Sequence, residues 1–181
     1  MKKVLIIAGH QKSTGAFGIV SEGEKTIELR NMIVKKLKEM GITALIDSDS
    51  DVLGNVVAKI KKLVVKTDIC IDIHFNSAAN NMANGSEVFI PTAYSQDEFI
   101  LGTKLIKAIV ETIGTKNRGL KYEYQTAHKK IAMLSSFDCV NILIEVGFVS
   151  NKSDMDKYEA NKETLADRLA KIIADFSKAQ N

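Results

Sequence analysis

The stretch Asn141–Asn151, NILIEVGFVSN, decides how the rest of the chain is read. Ile142, Leu143, Ile144 and Val146 are apolar and mostly β-branched, and Gly147 follows as a breaker. That composition belongs to a strand covered on both faces, which is an inner strand of a largely parallel sheet. Glu145 interrupts it. A carboxylate among core residues is costly unless it is paired, hydrogen-bonded or close to a metal. Either Glu145 points into solvent at the strand end, or a partner waits for it.

Outward from this strand, extended and helical patterns alternate. KKVLIIAG (2–9), DICIDIHF (68–75) and SEVFI (86–90, closed by Pro91) read as strands, with ITALI (42–46) as a short one. Leu29, Met32, Ile33, Leu37 and Met40 share one face of a helix that Gly41 ends. Residues 51–66 form a second helix, and Ser95 caps a third. Leu165, Leu169, Ile172, Ile173 and Phe176 make the apolar stripe of a closing helix over 162–178. The alternation predicts a single-domain α/β sandwich over 1–181, with a mostly parallel central sheet of about six strands flanked by helices. Residues 11–23, 76–85 and 114–130 read as long irregular segments. Loops at the carboxyl ends of such strands usually carry the site.

Composition excludes several function classes. Hydrophobic residues at 45% and charged residues at 26% are ordinary for a globular domain, and 181 residues bury a sizeable core. A net charge of +3 is too mild for a nucleic-acid footprint. The lysine clusters fall at helical spacing and read as solvated faces. No apolar run is long enough to span a membrane. The opening MKKVLIIAGH resembles a leader, but its apolar core, Val4–Ala8, is too short and no small-residue cleavage site follows. The expectation is a monomer without an export signal that accumulates in the cytoplasm. Cys70 and Cys139 lie in or beside strands and read as reduced, buried thiols rather than a metal motif.

The residues able to do chemistry gather at strand ends. His10 ends the first strand, His74 lies near the end of DICIDIHF, and Glu145 lies near the end of the inner strand. Glu24 opens the first long helix, just after the loop that leaves His10. Two histidines and a glutamate form a known catalytic zinc set, and a second, non-ligating glutamate then serves as base. Each residue has a plainer reading. Glu22 and Glu24 are helix starters favoured by the macrodipole, His10 a loop residue, and His74 a satisfied core histidine. Their joint placement, with only three histidines in the chain, sets metal-assisted hydrolysis level with the plainer readings.

These residues also sit in motifs that are known together. AGH, TGAFGIVSEGEKT, IDIHFNSA, NGSEVFI, NRGLK and ILIEVGFVSN follow in this order along nearly the whole chain. In that combination the chain resembles the zinc-dependent N-acetylmuramoyl-L-alanine amidases of bacterial and phage cell-wall lysis. The resemblance implies one Zn²⁺ on His10, Glu24 and His74, with Glu24 chosen because the family ligand directly precedes a lysine. It implies Glu145 as the catalytic base, and the muramoyl–L-alanine amide of peptidoglycan as the bond cut. Arg118 and Lys121 then hold substrate carboxylates or are surface charge, and Asn76 contacts substrate or merely ends its strand. The chain departs from the family at Ile7 and Ala8, before the first Gly-His, and at Val140, where the family often has proline. Residues 122–130, with His128 among them, look longer than usual. The expected partners are muramic acid and the stem peptide, in a phage or prophage endolysin acting after membrane breach. Two rivals remain: a metal-free wall-binding module of the same fold, and a nucleotide-binding protein. The second is weakened because IIAGHQKSTGAFG lacks the dinucleotide and P-loop glycine spacings.

Overall fold

The computed structural model describes residues 2–10, 14–50, 53–66, 68–126 and 129–179. The strands are β1 (Val4–Ala8), β2 (Ala44–Ile46), β3 (Ile69–Asn76), β4 (Ser86–Ile90), β5 (Asn117–Tyr122) and β6 (Val140–Phe148). They form one sheet in the order β2-β1-β3-β6-β4-β5. β2, β1, β3 and β6 run parallel, β4 runs antiparallel to β6, and β5 lies parallel to β4. The helices are α1 (Glu22–Glu39), α2 (Leu53–Leu63), α3 (Gln96–Ile113), α4 (Ala132–Ser135) and α5 (Lys152–Ala179). Among the described residues no helix is long and apolar enough to cross a membrane.

Side chains alternate across each strand, and the two faces are covered unequally. Ile69, Ile71, Ile73 and Phe75 of β3, with Ile142, Ile144 and Val146 of β6, meet α1, α3 and α5 in the main core. On the other face Leu5, Ile7 and Cys70 meet Val56 and Ile60 of α2, together with Met133 and Cys139. Both cysteines are free and buried there. This second layer is thin, because α2 has 11 residues and α4 has four. Alternation puts Asp72, His74 and Asn76 of β3, Glu145 of β6 and Glu87 of β4 on the thinly covered face. Register sets His74 beside Glu145, and Glu145 beside Glu87. The polar interruptions in the strands therefore form one row across three adjacent strands.

Two elements differ from the sequence expectation. β5 lies in the segment read as irregular. α5 begins at Lys152 rather than near residue 162. Asn151 Oδ1 accepts the Asp154 N–H at 3.0 Å at its start, and Asp154 in turn accepts N–H bonds from Gly85 and Phe148. The added turns bury Met155 and Tyr158.

Candidate metal centre

Three donor groups from three segments converge at the carboxyl end of the sheet. The Gly9 N–H donates to the Ile73 carbonyl at 2.8 Å, carrying the β1–β3 ladder up to His10. Gly9 is needed there, since a Cβ would stand 2.1 Å from His74 Nε2. The loop from residue 14 then doubles back, with Phe17 bridging Ser21, and delivers Glu22 as the first residue of α1. Gly15, at φ +89°, faces this point, where a Cβ would stand 2.7 Å from the His10 ring and 2.8 Å from Glu22 Oε2. Glu22 Oε2 accepts the Ala16 N–H at 2.7 Å, and Oε1 accepts the Phe75 N–H at 3.1 Å. Its Oε1 lies 3.1 Å from His74 Nδ1 and its Oε2 lies 3.5 Å from His10 Nε2. One ligand atom from each of His10, Glu22 and His74 falls within 4.8 Å of the others. The two imidazoles meet edge to face, with centroids 5.0 Å apart.

Glu24 is outside this cluster, contrary to the register read from the sequence. Successive helix residues turn by about 100°, so Glu24 lies about 200° around α1 from Glu22. Glu22, Thr26, Leu29, Arg30, Ile33 and Leu37 are the buried face of α1, whereas Glu24 is exposed. Glu24 stands in the first turn of α1, where the macrodipole favours an acidic residue. The signal was present in the stripe itself: stepping back from Leu29 by three and seven positions gives Thr26 and Glu22.

The site is electrostatically dense. Burial disfavours a charged His74, but Asp72 and Glu22 outweigh it and hold the imidazole well above its ordinary range. Burial and His74 push His10 down against the opposing pull of Glu22. Burial also works against the Glu22 carboxylate, yet His74, the Ala16 N–H and His10 bring it below its ordinary value. Glu145 behaves oppositely. Burial, helped by Glu22, Glu87 and Asp72, pushes its carboxyl up to about 8, against the pull of His74. Its Oε2 is buried and has no hydrogen-bond partner among the described residues.

The other sequence candidates meet on a residue that the sequence reading passed over. Glu87 is 4% exposed. Its Oε1 accepts from Asn76 Nδ2 at 2.7 Å, and its Oε2 accepts from Arg118 Nε at 3.0 Å and from the Lys121 ammonium. The Arg118 guanidinium also lies over the Phe148 ring, 5.1 Å from its centroid. Asn76, Arg118 and Lys121 thus meet at Glu87, which is the register neighbour of Glu145. Glu87 and Asp72 were both detectable by the question that Glu145 raised, as carboxylates set inside apolar strands. His128 lies outside the described residues.

The donor set suits zinc, which favours imidazole nitrogen and carboxylate oxygen and in catalytic sites takes three protein ligands. The glycines at 9 and 15 leave the space in which the donors come close, and Glu145 Oε2 beside them has no hydrogen-bond partner among the described residues. A family model described as N-acetylmuramoyl-L-alanine amidase matches residues 4–175. An uncharacterised Bacillus subtilis protein, YqiI, is 25% identical over 97% of this chain and 84% of its own length. An uncharacterised cell wall amidase of Bacillus anthracis is 29% identical over 97% of this chain, which spans only 35% of that protein. Among solved structures, the catalytic domain of the CD27L endolysin targeting Clostridium difficile superposes with a TM-score of 0.78 at 23% identity, covering 97% of this chain and 98% of that domain.

Proposed function

This chain belongs to the N-acetylmuramoyl-L-alanine amidase family, and we propose that it uses one Zn²⁺ to hydrolyse the amide joining the lactyl group of N-acetylmuramic acid to L-alanine of the peptidoglycan stem. The observation that carries this reading is the convergence of His10, Glu22 and His74 beside a carboxylate, Glu145, whose Oε2 has no hydrogen-bond partner among the described residues. A wall-binding module without catalysis has no use for such a carboxylate.

Zinc held by His10, Glu22 and His74 would supply Lewis acidity toward water and the scissile carbonyl. Glu145 takes the proton of the attacking water on its free oxygen and passes it to the departing nitrogen of L-alanine. A carboxyl that keeps its proton to about 8 in the metal-free protein is a base at neutral pH only when a nearby cation favours its charged form. Arg118 and Lys121 hold the carboxylates of the stem peptide, with Glu87 fixing both cations and leaving their outward faces to the substrate. Asn76 shares that anchor through its bond to Glu87 and contacts substrate beside it. We place the enzyme in phage or prophage lysis, acting on the wall after the membrane is breached.

Digestion of purified peptidoglycan tests the bond assignment. New L-alanine amino termini should appear without new sugar reducing ends, a chelator should stop their release, and added zinc should restore it. Release of reducing ends instead would overturn the assignment.

A further inference from the structure

Asp72 is wholly buried, at 0% exposure, in the middle of β3. Its register neighbours are Ile7 on β1 and Leu143 on β6, both apolar, so neither flanking strand offers its side chain a partner. Its Oδ1 has no hydrogen bond among the described residues. Its Oδ2 has one, to His74 Nε2 at 3.1 Å. A half-satisfied buried carboxylate is a burden on folding, and nothing in the core repays it. What it does reach is one nitrogen of a residue whose other nitrogen, Nδ1, lies 3.1 Å from Glu22 Oε1. Residues i and i+2 of a strand share a face, so the D-x-H spacing of Asp72 and His74 builds this contact into the chain.

We propose that Asp72 is the positioning residue of the metal centre: it accepts the Nε2–H of His74, fixes the tautomer and ring plane that present Nδ1 to the metal, and tightens the hold on zinc. The inference rests on the reading of His10, Glu22 and His74 as ligands. Gly9 completes the seat, because its missing Cβ leaves the space that the His74 ring occupies. A carboxylate behind a ligating imidazole makes the ring more basic toward the metal, and losing such a partner typically lowers metal affinity by about 10–100-fold.

Two measurements decide it. The first is the zinc dissociation constant of folded wild type, Asp72→Asn and Asp72→Ala, by competition with a chromogenic chelator. Asp72→Ala should bind about 10–100-fold more weakly. Asp72→Asn, which keeps an acceptor oxygen but loses the charge, should fall between. Affinities within twofold of wild type in both variants would overturn the proposal, because a merely structural carboxylate leaves the affinity of the folded fraction unmoved. Absence of zinc binding in the wild type would instead remove the ligand reading beneath it. The second measurement needs no variant and decides the matter if neither substituted protein folds. Long-range ¹⁵N–¹H correlation on zinc-loaded wild type should show His74 metallated at Nδ1 and protonated at Nε2. Metallation at Nε2 overturns the proposal.

Discussion

At Glu22 and Glu24 two residues of the same type, two positions apart, differ in everything that matters to a metal. Glu22 accepts two backbone N–H groups and touches both histidines, while Glu24 faces solvent. Glu22→Ala should therefore lose zinc, and Glu24→Ala should retain close to one equivalent by elemental analysis; the reverse pattern would return the ligand to Glu24. Gly9→Ala should also lower zinc occupancy, because the new Cβ displaces His74, with an overpacking cost of about 1–3 kcal/mol readable in urea unfolding. The placement of His10, His74 and Glu145 near strand ends was legible because strand ends and a charge in an apolar run are local signals. The choice between the glutamates was not settled by motif register, since it depends on which face of α1 turns inward.

At the scale of elements, the inner strands and the main helices were readable from periodicity, while β5 was not. It is an edge strand with one neighbour, its residues are half-buried or exposed, and Gly119 sits at φ +88° within it. Only Leu120 and Tyr122 are apolar in NRGLKY, so no alternation announces it. Its ladder to β4 is irregular between Ser86 and Val88, and Glu87 joins the two strands through Arg118 and Lys121. Glu87→Ala should cost about 1–3 kcal/mol, toward the lower end because both cations can turn to water. The loss should show as faster amide exchange in β5 than in β1 or β3, and uniform exchange across the sheet would count against this joint. The early start of α5 was hidden for another reason. Its first turns are polar, and they are held by the Asn151 cap and by Asp154, whose partners are the distant Gly85 and nearby Phe148.

For the whole molecule, the site ties stability to pH and to metal. In the metal-free protein Glu145 keeps its proton to about 8, against an ordinary value of 4.5, so the folded state binds more protons than the unfolded one across that window. Stability must then fall as pH rises through it and level off above. His74, raised above its ordinary value by Asp72 and Glu22 against its burial, acts with the same sign: its contribution is full below its unfolded value and lost as pH passes its folded one. Zinc held on the proposed ligands should reverse the trend, because ligation requires deprotonated groups and strengthens with pH. Urea midpoints of chelated protein should drop between about pH 6 and about pH 9, while the gain from added zinc widens; a chelated protein that becomes more stable over that range would contradict the charge balance described. The central claim remains that Glu145 stands in its strand as the catalytic base. Release of L-alanine amino termini from peptidoglycan by wild type and Glu145→Gln, compared at equal zinc content, tests it most directly. The variant should stay folded, keep its zinc and slow by at least about 10²-fold; rates that match the wild type would contradict the claim.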